Sequence, residues 1–442
     1  MNLLICYNES INGHNGNRRR VNVGNFIKQI QIEKVRHLQN LTINITDNER
    51  KHLIITGKNG SGKTTLLEKI KSYLAAIPDG NLLNLLSDWP RSLKYWDEQY
   101  KTLLEIANKD LQQQVQVKDA AEQVRLYTNL INQYTDGVEI VFGDDTNILE
   151  RYTNGEFVLA YFNATRNAKI DIPTNVPKIQ LKEKYGINEN IGKIFLNYLV
   201  YLKTQQSFAR NENDIEEANK IQAWFDNFEM ALRKLFEDES IKLKFNYKEL
   251  NFKIIQENRE EYGFDALSDG YSAVLDIVIN LILRMENHHK QAYDVEGIVL
   301  IDELENHLHI GLQKKILPFL TEFFPNVQFI ISTHSPFIIN SIDNVVIYDL
   351  EKKQAVEDLS GIAYEGIVEG YFDVNQYSEK IKSKLERYNF LVEKQDKNEL
   401  EEDEQYELRN YLKGLSPDLA PEVVLAFNNI EISRKNRLKS NS

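Results

Sequence analysis

Four short stretches of this chain combine residue types and spacings that can do chemistry. Residues Gly57-Lys58-Asn59-Gly60-Ser61-Gly62-Lys63-Thr64 spell GxxxxGKT. Glycines let backbone N–H groups curl around phosphate oxygens, and a following helix turns its positive end toward them. At this spacing Lys63 reaches the β- and γ-phosphates and Thr64 offers a hydroxyl to Mg²⁺. In the second stretch, Ile298 to Ile301 are apolar and Asp302 and Glu303 follow. Acids at the carboxyl edge of a parallel sheet lie beside a phosphate loop. Asp302 then holds Mg²⁺, through water, and Glu303 polarises the attacking water. The third, Leu267-Ser268-Asp269-Gly270-Tyr271, opens a helix. Read alone it is an N-cap; Ser268 and Gly270 also make a second anion site of a hydroxyl and free N–H groups. The fourth is Ser332-Thr333-His334-Ser335-Pro336. It reads as a strand-ending turn or, with the other strand ends facing one crevice, as a neutral imidazole that senses the γ-phosphate.

These residues need strands and helices to hold them. FIKQIQIEKV and LTINI alternate apolar and polar with period two, which predicts a hairpin. KHLIITG is a buried strand leading into the glycine turn, and TTLLEKIKSYLAAI the helix beyond it. Short strands follow around GVEIVFG and EFVLAYF, a helical hairpin within 189–237, strands IKLKFNY and LNFKIIQ, a helix from Asp269, strand GIVLID, a helix from Leu308, and strands VQFIIS and NVVIYDL. The alternation predicts an α/β fold, a P-loop NTPase core with a mostly parallel sheet, antiparallel N-terminal strands and an inserted helical lobe. The expected division is a flexible arm over 1–25, a first core part over 26–80, a mainly helical insertion over 81–240, a second core part over 241–376 and an acidic helical tail over 377–442.

Composition bounds the rest. The net charge of −13 argues against a general nucleic-acid coat, with arginines 18–20 and the tail RKNRLK as the basic exceptions. Cys6 is the only cysteine, so no intrachain disulfide forms and a reducing cytoplasm is the expected compartment. No basic region precedes the short apolar start, and the apolar run Val274–Leu283 is too short to span a bilayer and contains Asp276 and Asn280. No membrane partner is expected.

In order, GKNGSGKTT, LSDGYSAVLDI, VLIDELENHLH and ISTHSPF resemble the ABC-type ATPases related to SMC and RecF proteins, and more narrowly the OLD-like ATPases of prokaryotic anti-phage defence. The opening strands are similar too. The likeness covers roughly residues 26–80 and 255–350. It implies that Gly57, Asn59, Gly60, Gly62, Lys63, Thr64 and Thr65 bind ATP, that Asp302 and Thr64 serve Mg²⁺, and that Glu303 and His334 are the catalytic base and switch histidine. It also implies that Ser268 and Gly270 make the signature contact, that Glu305 to His309 form the loop crossing a dimer, and that Arg36 approaches phosphates or ribose. Two departures stand out. Ile310 replaces the usual proline after that loop, and no glutamine marks the loop after the early strands, where Asn163 to Arg166 stand.

The same resemblance implies a homodimer or higher homo-oligomer, with each ATP held between the phosphate loop of one copy and the signature serine of another. Ligand at 100 times its Kd adds about 2.7 kcal/mol per site, enough for two sites to gate a clamp. About a hundred residues follow His334, without the acidic arrangement of a TOPRIM nuclease. The expected effector is therefore a separate protein, a TOPRIM-like nuclease as in PARIS systems, which the overall length and compact helical insertion resemble somewhat more, or an HNH-like one as in Septu, with a phage protein as trigger. The alternative is a RecF- or SMC-like ATPase acting directly on DNA in repair, so DNA stays open as a partner. A transporter ATPase is weighed against by the missing glutamine and the STHSP ending.

Overall fold

In the computed structural model the described residues are 24–356 and 379–440, apart from 47–48, 146, 167, 169, 177, 287–292, 294, 395 and 416–420. The arm expected over 1–25 lies, but for its last two residues, outside the described residues, as do 357–376 at the end of the expected second core part. The chain forms two compact units, Met1–Gly361 and Ile362–Ser442.

The first unit begins with the hairpin predicted by alternation. Strand β1 (Ile27–Val35) pairs antiparallel with β2 (Leu38–Asn44); its buried positions Ile30 and Ile32 follow the pleat, while the register shifts between Ile27 and Gln29. β3 (His52–Thr56) is buried at every position, as its unbroken apolar run requires, and leads through the glycine loop into α1 (Lys63–Leu74). Residues 81–240 prove more varied than one helical lobe. They hold the long hairpin α2 (Trp89–Glu105) and α3 (Leu111–Thr135), then β4 (Val138–Phe142), α4 (Ile148–Thr153), β5 (Phe157–Phe162), and a second hairpin α5 (Phe195–Asn211) and α6 (Ile215–Phe236). β4 joins the N-terminal sheet against β1, and β5 joins the central sheet, so the stretch is threaded through the body.

Strands β6 (Lys242–Asn246), β7 (Asn251–Ile255) and β8 (Tyr262–Gly263) form a small antiparallel sheet. After it come α7 (Asp269–Met285), β9 (Glu296–Ile301), α8 (Ile310–Phe323), β10 (Val327–Ser332), α9 (Pro336–Ile339), β11 (Val345–Asp349) and β12 (Gln354–Val356). The central sheet runs β12-β11-β3-β10-β9-β5, parallel throughout except for β12. Gln328 of β10 fastens the N-terminal sheet to it. Its amide accepts from the Ile27 N–H at 2.8 Å and donates to the Ile27 and Lys51 carbonyls at 3.0 and 2.8 Å.

From Ser272 onward helix α7 is buried on all sides, as an apolar helix inside a body must be. Its exceptions, Asp276, Asn280 and Arg284, stand four residues apart and make one polar stripe. Asn280 accepts from the Ile191 N–H at 2.8 Å, Asp276 from Asn190 at 3.3 Å, and Arg284 donates to the carbonyls of Leu159 and Gly186. The stripe thus satisfies the irregular backbone before α5, which burial would otherwise leave unpaired.

The second unit contains α10 (Glu379–Glu393), α11 (Glu399–Lys413) and α12 (Pro421–Ser440), packed through Tyr388, Leu412, Val423 and Phe427. The acidic run of the tail falls largely on α11. Its start is fixed by a capping box between Asn398 and Glu401. No helix of the described residues is long and apolar enough to cross a membrane.

Candidate nucleotide site

The strand order explains how distant motifs meet. β3 ends in the glycine loop, β9 in Asp302 and Glu303, and β10 lies between them. The register pairs Ser332 with Ile55 and Ile331 with Ile301, so the three strands end level at one edge.

At that edge Gly57, Gly60 and Gly62 have φ of 136°, 83° and 97°, values that side chains resist. The loop can therefore turn back over the start of α1. Lys63 is buried to 6% exposure, and its ammonium donates to the carbonyls of Gly57 and Lys58 at 3.0 and 3.2 Å. Burial lowers its pKa, while Glu303, Glu305, Asp302 and Asp349 pull the other way. Asn59 and Gly60 are exposed at the tip of the loop, and Thr64 and Thr65 sit on the first turn of α1. The Thr64 hydroxyl donates to Asp302 Oδ1 at 3.1 Å. Ser332, from the strand between, donates to the same oxygen at 2.5 Å and accepts from the Glu303 N–H at 2.8 Å.

Beyond Asp302 the backbone is strained. Glu303 and His307 take left-handed φ of 45° and 66°, a conformation that costs a side-chain-bearing residue on the order of 1 kcal/mol or more. Arg166 holds this turn. It is 5% exposed and donates to the carbonyls of Asp302 at 2.6 Å, Glu303 at 2.9 Å and Leu304 at 3.3 Å. Asn306 donates back to the Ala164 carbonyl at 2.9 Å. So the segment in the place of the missing glutamine loop grips the carboxylate turn by its backbone. Glu305 completes the grip from the other side, accepting from Thr333 Oγ1 at 2.7 Å and the His334 N–H at 2.5 Å. Burial first, and the Lys63 charge second, lower the His334 pKa, against the opposing pull of Glu305, Glu303 and Asp302. The balance favours the neutral imidazole.

Two other predicted contributors lie differently. Arg36 is exposed in the turn between β1 and β2, with φ of 53°. Its neighbour His37 is the one that touches the loop, with Nε2 3.0 Å from the Ser61 carbonyl. Ser268 caps α7 by position only: it is exposed, and its hydroxyl makes no capping bond. Gly270 sits so close to the strained turn that a Cβ there would stand 2.9 Å from the His307 carbonyl. The structure therefore brings together Lys63, Thr64, Asp302, Glu303, Ser332 and His334, and leaves the Ser268 hydroxyl facing outward.

Sequence reasoning does not single out His37, Ser332 as a ligand to Asp302, or the reach of Arg166. The only signal for Arg166 is its place in the segment where a glutamine is missing.

The family described as "AAA domain, putative AbiEii toxin, Type IV TA system" matches residues 201–340. The chain is 22% identical over 401 residues to a Septu protein PtuA of Bacillus mycoides (strain KBAB4), covering 88% of this chain and 50% of that protein. It is 32% identical over 147 residues to the Retron Ec83 probable ATPase of Escherichia coli, covering 31% of this chain and 27% of that protein. This chain thus spans half of the first relative and about a quarter of the second. Among solved structures it is similar to an SMC head bound to the C-terminal winged-helix domain of ScpA, with a TM-score of 0.37 and 12% identity over 76% of this chain and 99% of that one. By sequence, then, the chain is similar to a Septu protein and to a retron probable ATPase, and the resemblance read from its motifs is borne out.

Proposed function

We propose that this chain binds and hydrolyses ATP as a nucleotide-gated homo-oligomer of an anti-phage defence system and controls a separate effector. One observation carries the reading: the Thr64 hydroxyl and the Asp302 carboxylate, 238 positions apart, meet at 3.1 Å beside the buried Lys63. Two hard oxygen donors at a phosphate loop fit Mg²⁺, which takes one or two protein ligands and completes its shell with phosphates and water. Bound there, the ion would neutralise charge on the phosphates. Lys63 would bind the β- and γ-phosphates, and Gly57, Asn59, Gly60, Gly62 and Thr65 would cradle them. Glu303, held by its strained turn, would orient the attacking water. The neutral His334 would face the γ-phosphate. Ser268 and Gly270 would complete the site of a second copy, which agrees with the exposure of Ser268.

The relatives support the biological side of the reading. A Septu protein and a retron ATPase both resemble this chain. The Septu likeness favours an HNH-like nuclease as the separate effector; the second class of effector is TOPRIM-like.

The test is Glu303→Gln. It keeps shape and removes the base, so phosphate release should fall on the order of 10²- to 10⁴-fold. ATP binding should persist, and the closed dimer should accumulate on a sizing column with ATP. Near-normal turnover would move the catalytic role to another residue. Purified alone, the chain should hydrolyse ATP without cutting plasmid DNA in Mg²⁺ or Mn²⁺; cutting would overturn the separate-effector model.

A further inference from the structure

Arg166 is a buried cation, and among the described residues its hydrogen bonds end on backbone carbonyls. One belongs to Asn163 of its own segment, at 2.8 Å. The others are three consecutive carbonyls, of Asp302, Glu303 and Leu304. Asp276, Glu305, Asp302 and Glu303 balance its charge through space. Taking a guanidinium out of water for carbonyl partners is a poor route to stability, because dipoles return less than ions do. It is a good route to geometry. A glutamine carboxamide offers two N–H donors, whereas a guanidinium offers five in one planar fork. Two donors do not serve three carbonyls. The turn so held is the one that carries Glu303 at its left-handed φ of 45°, a conformation that its surroundings must impose.

The same segment also reaches α7. The Ala168 N–H donates to Ser272 Oγ at 3.1 Å, in the first turn of that helix. Asn306 donates to the Ala164 carbonyl at 2.9 Å, on the other side. Gly270, in the same helical turn, leaves no room for a Cβ beside the His307 carbonyl. Three pieces therefore touch pairwise: the carboxylate turn 302–307, the segment 163–168 and the start of α7. In a close-packed interior such pieces do not move singly.

We propose that Arg166 is the positioning residue of Glu303, and that the segment 163–168 makes the aim of this carboxylate depend on where the start of α7 lies. On the function proposed above, α7 starts at the contact with a second copy. Engagement of that copy's ATP would then reach Glu303 of this copy through Ser272, Ala168 and Arg166. The part in turnover rests on that function; the grip itself does not.

The experiment uses the full chain and begins without nucleotide. Hydrogen exchange is followed by mass spectrometry on peptides spanning 303–306, where the N–H groups of Glu303, Leu304 and Asn306 are bonded to Ser332 and Glu303. Arg166→Met should speed exchange there roughly tenfold or more and leave β3 and β11 within about twofold, because local opening frees only the amides it exposes. With ATP, turnover at saturation should fall roughly tenfold or more while KM stays within about threefold, since a misaimed base is felt in the transition state. In the Glu303→Gln background the same substitution should lower turnover by no more than about twofold, because the two residues act through one group. Should Arg166→Met not fold, Ser272→Ala serves instead: losing the Ala168 acceptor should speed exchange at 303–306 roughly threefold or more. Unchanged exchange at 303–306, or acceleration equal across the sheet, overturns the grip. A further large loss in the Glu303→Gln background, or a fall expressed in KM alone, overturns the positioning of Glu303. Unchanged exchange in Ser272→Ala alone severs the link to α7. A wild type without turnover overturns the function proposed above, and the exchange result still decides the grip.

Discussion

Two helix N-termini in this molecule meet the carboxylate turn, and they differ in how enclosed each is. The start of α1 is enclosed: a glycine loop with three positive φ angles, a buried lysine, a threonine on Asp302 and a histidine turn opposite. The start of α7 is open: an exposed Ser268 with no capping bond, and Gly270 pressed against the carboxylate turn. Both supply free N–H groups and a positive dipole end. Only the first supplies charge and burial. On the function proposed above, a complete site needs one end of each kind, and a single copy does not close its own.

The largest effect should come from the enclosed end. Lys63→Ala removes a buried ammonium that would face the phosphates, and ATP affinity should fall roughly 100-fold, the scale of a charge-assisted bond. Equilibrium binding of a fluorescent ATP analogue checks this; unchanged affinity would break the comparison at its stronger side. At the open end, Ser268→Arg should leave ATP affinity of the single copy within about twofold and cut turnover roughly tenfold or more, because the obstruction lies across the interface. Mixing the two variants sharpens the point. A head-to-tail pair then contains one doubly damaged site and one intact site, so part of the activity should return. No recovery would mean either a single shared site or strict coupling between two.

At pH 6 the smallest effect concerns the strand beneath the enclosed end. His52, at the start of β3, is 6% exposed, and its Nδ1 accepts from the Phe329 N–H at 3.0 Å. Burial, helped by Arg50, lowers its pKa to about 4. The folded value lies below the unfolded one near 6.5, so protonation favours unfolding. The stability it contributes is full above pH 6.5 and is lost as pH falls toward 4. The loss should be about 0.8 kcal/mol at pH 6 and roughly 3 kcal/mol by pH 4. Urea midpoints of the wild type and His52→Gln across that range check it, and parallel pH slopes would remove His52 from the account.

The enclosed end is legible in the sequence because its parts announce themselves. GxxxxGKT has few other uses, an apolar run ending in two acids reads as a strand end, and both lie in local sequence. What escapes such a reading has a shared cause. Arg166 and His37 act on backbone carbonyls, of residues 302–304 and of Ser61, and a carbonyl has no residue type to pair with in a pattern. Ser332 reads only as the end of a strand because its partner is 30 residues away in sequence. β5 reads correctly as a strand, yet its place in the central sheet depends on pairing with β9, more than 130 residues later. Period and composition report a residue's own environment, not which distant strand supplies it.

The order of the central strands also has a consequence for the chain as it is made. β3 lies between β10 and β11, which are translated some 270 and 290 residues after it. At the usual 5 to 20 residues per second, this strand with all five positions buried in the final body waits on the order of 15 to 60 s without either neighbour. Throughout that wait it is an apolar segment with unpaired edges on both sides, the kind that attracts other nascent chains. The last strands to emerge therefore govern when the phosphate loop acquires its shape. Ribosome-bound fragments that end before residue 327 should need a chaperone to stay in solution, and release of that need should coincide with the emergence of β10.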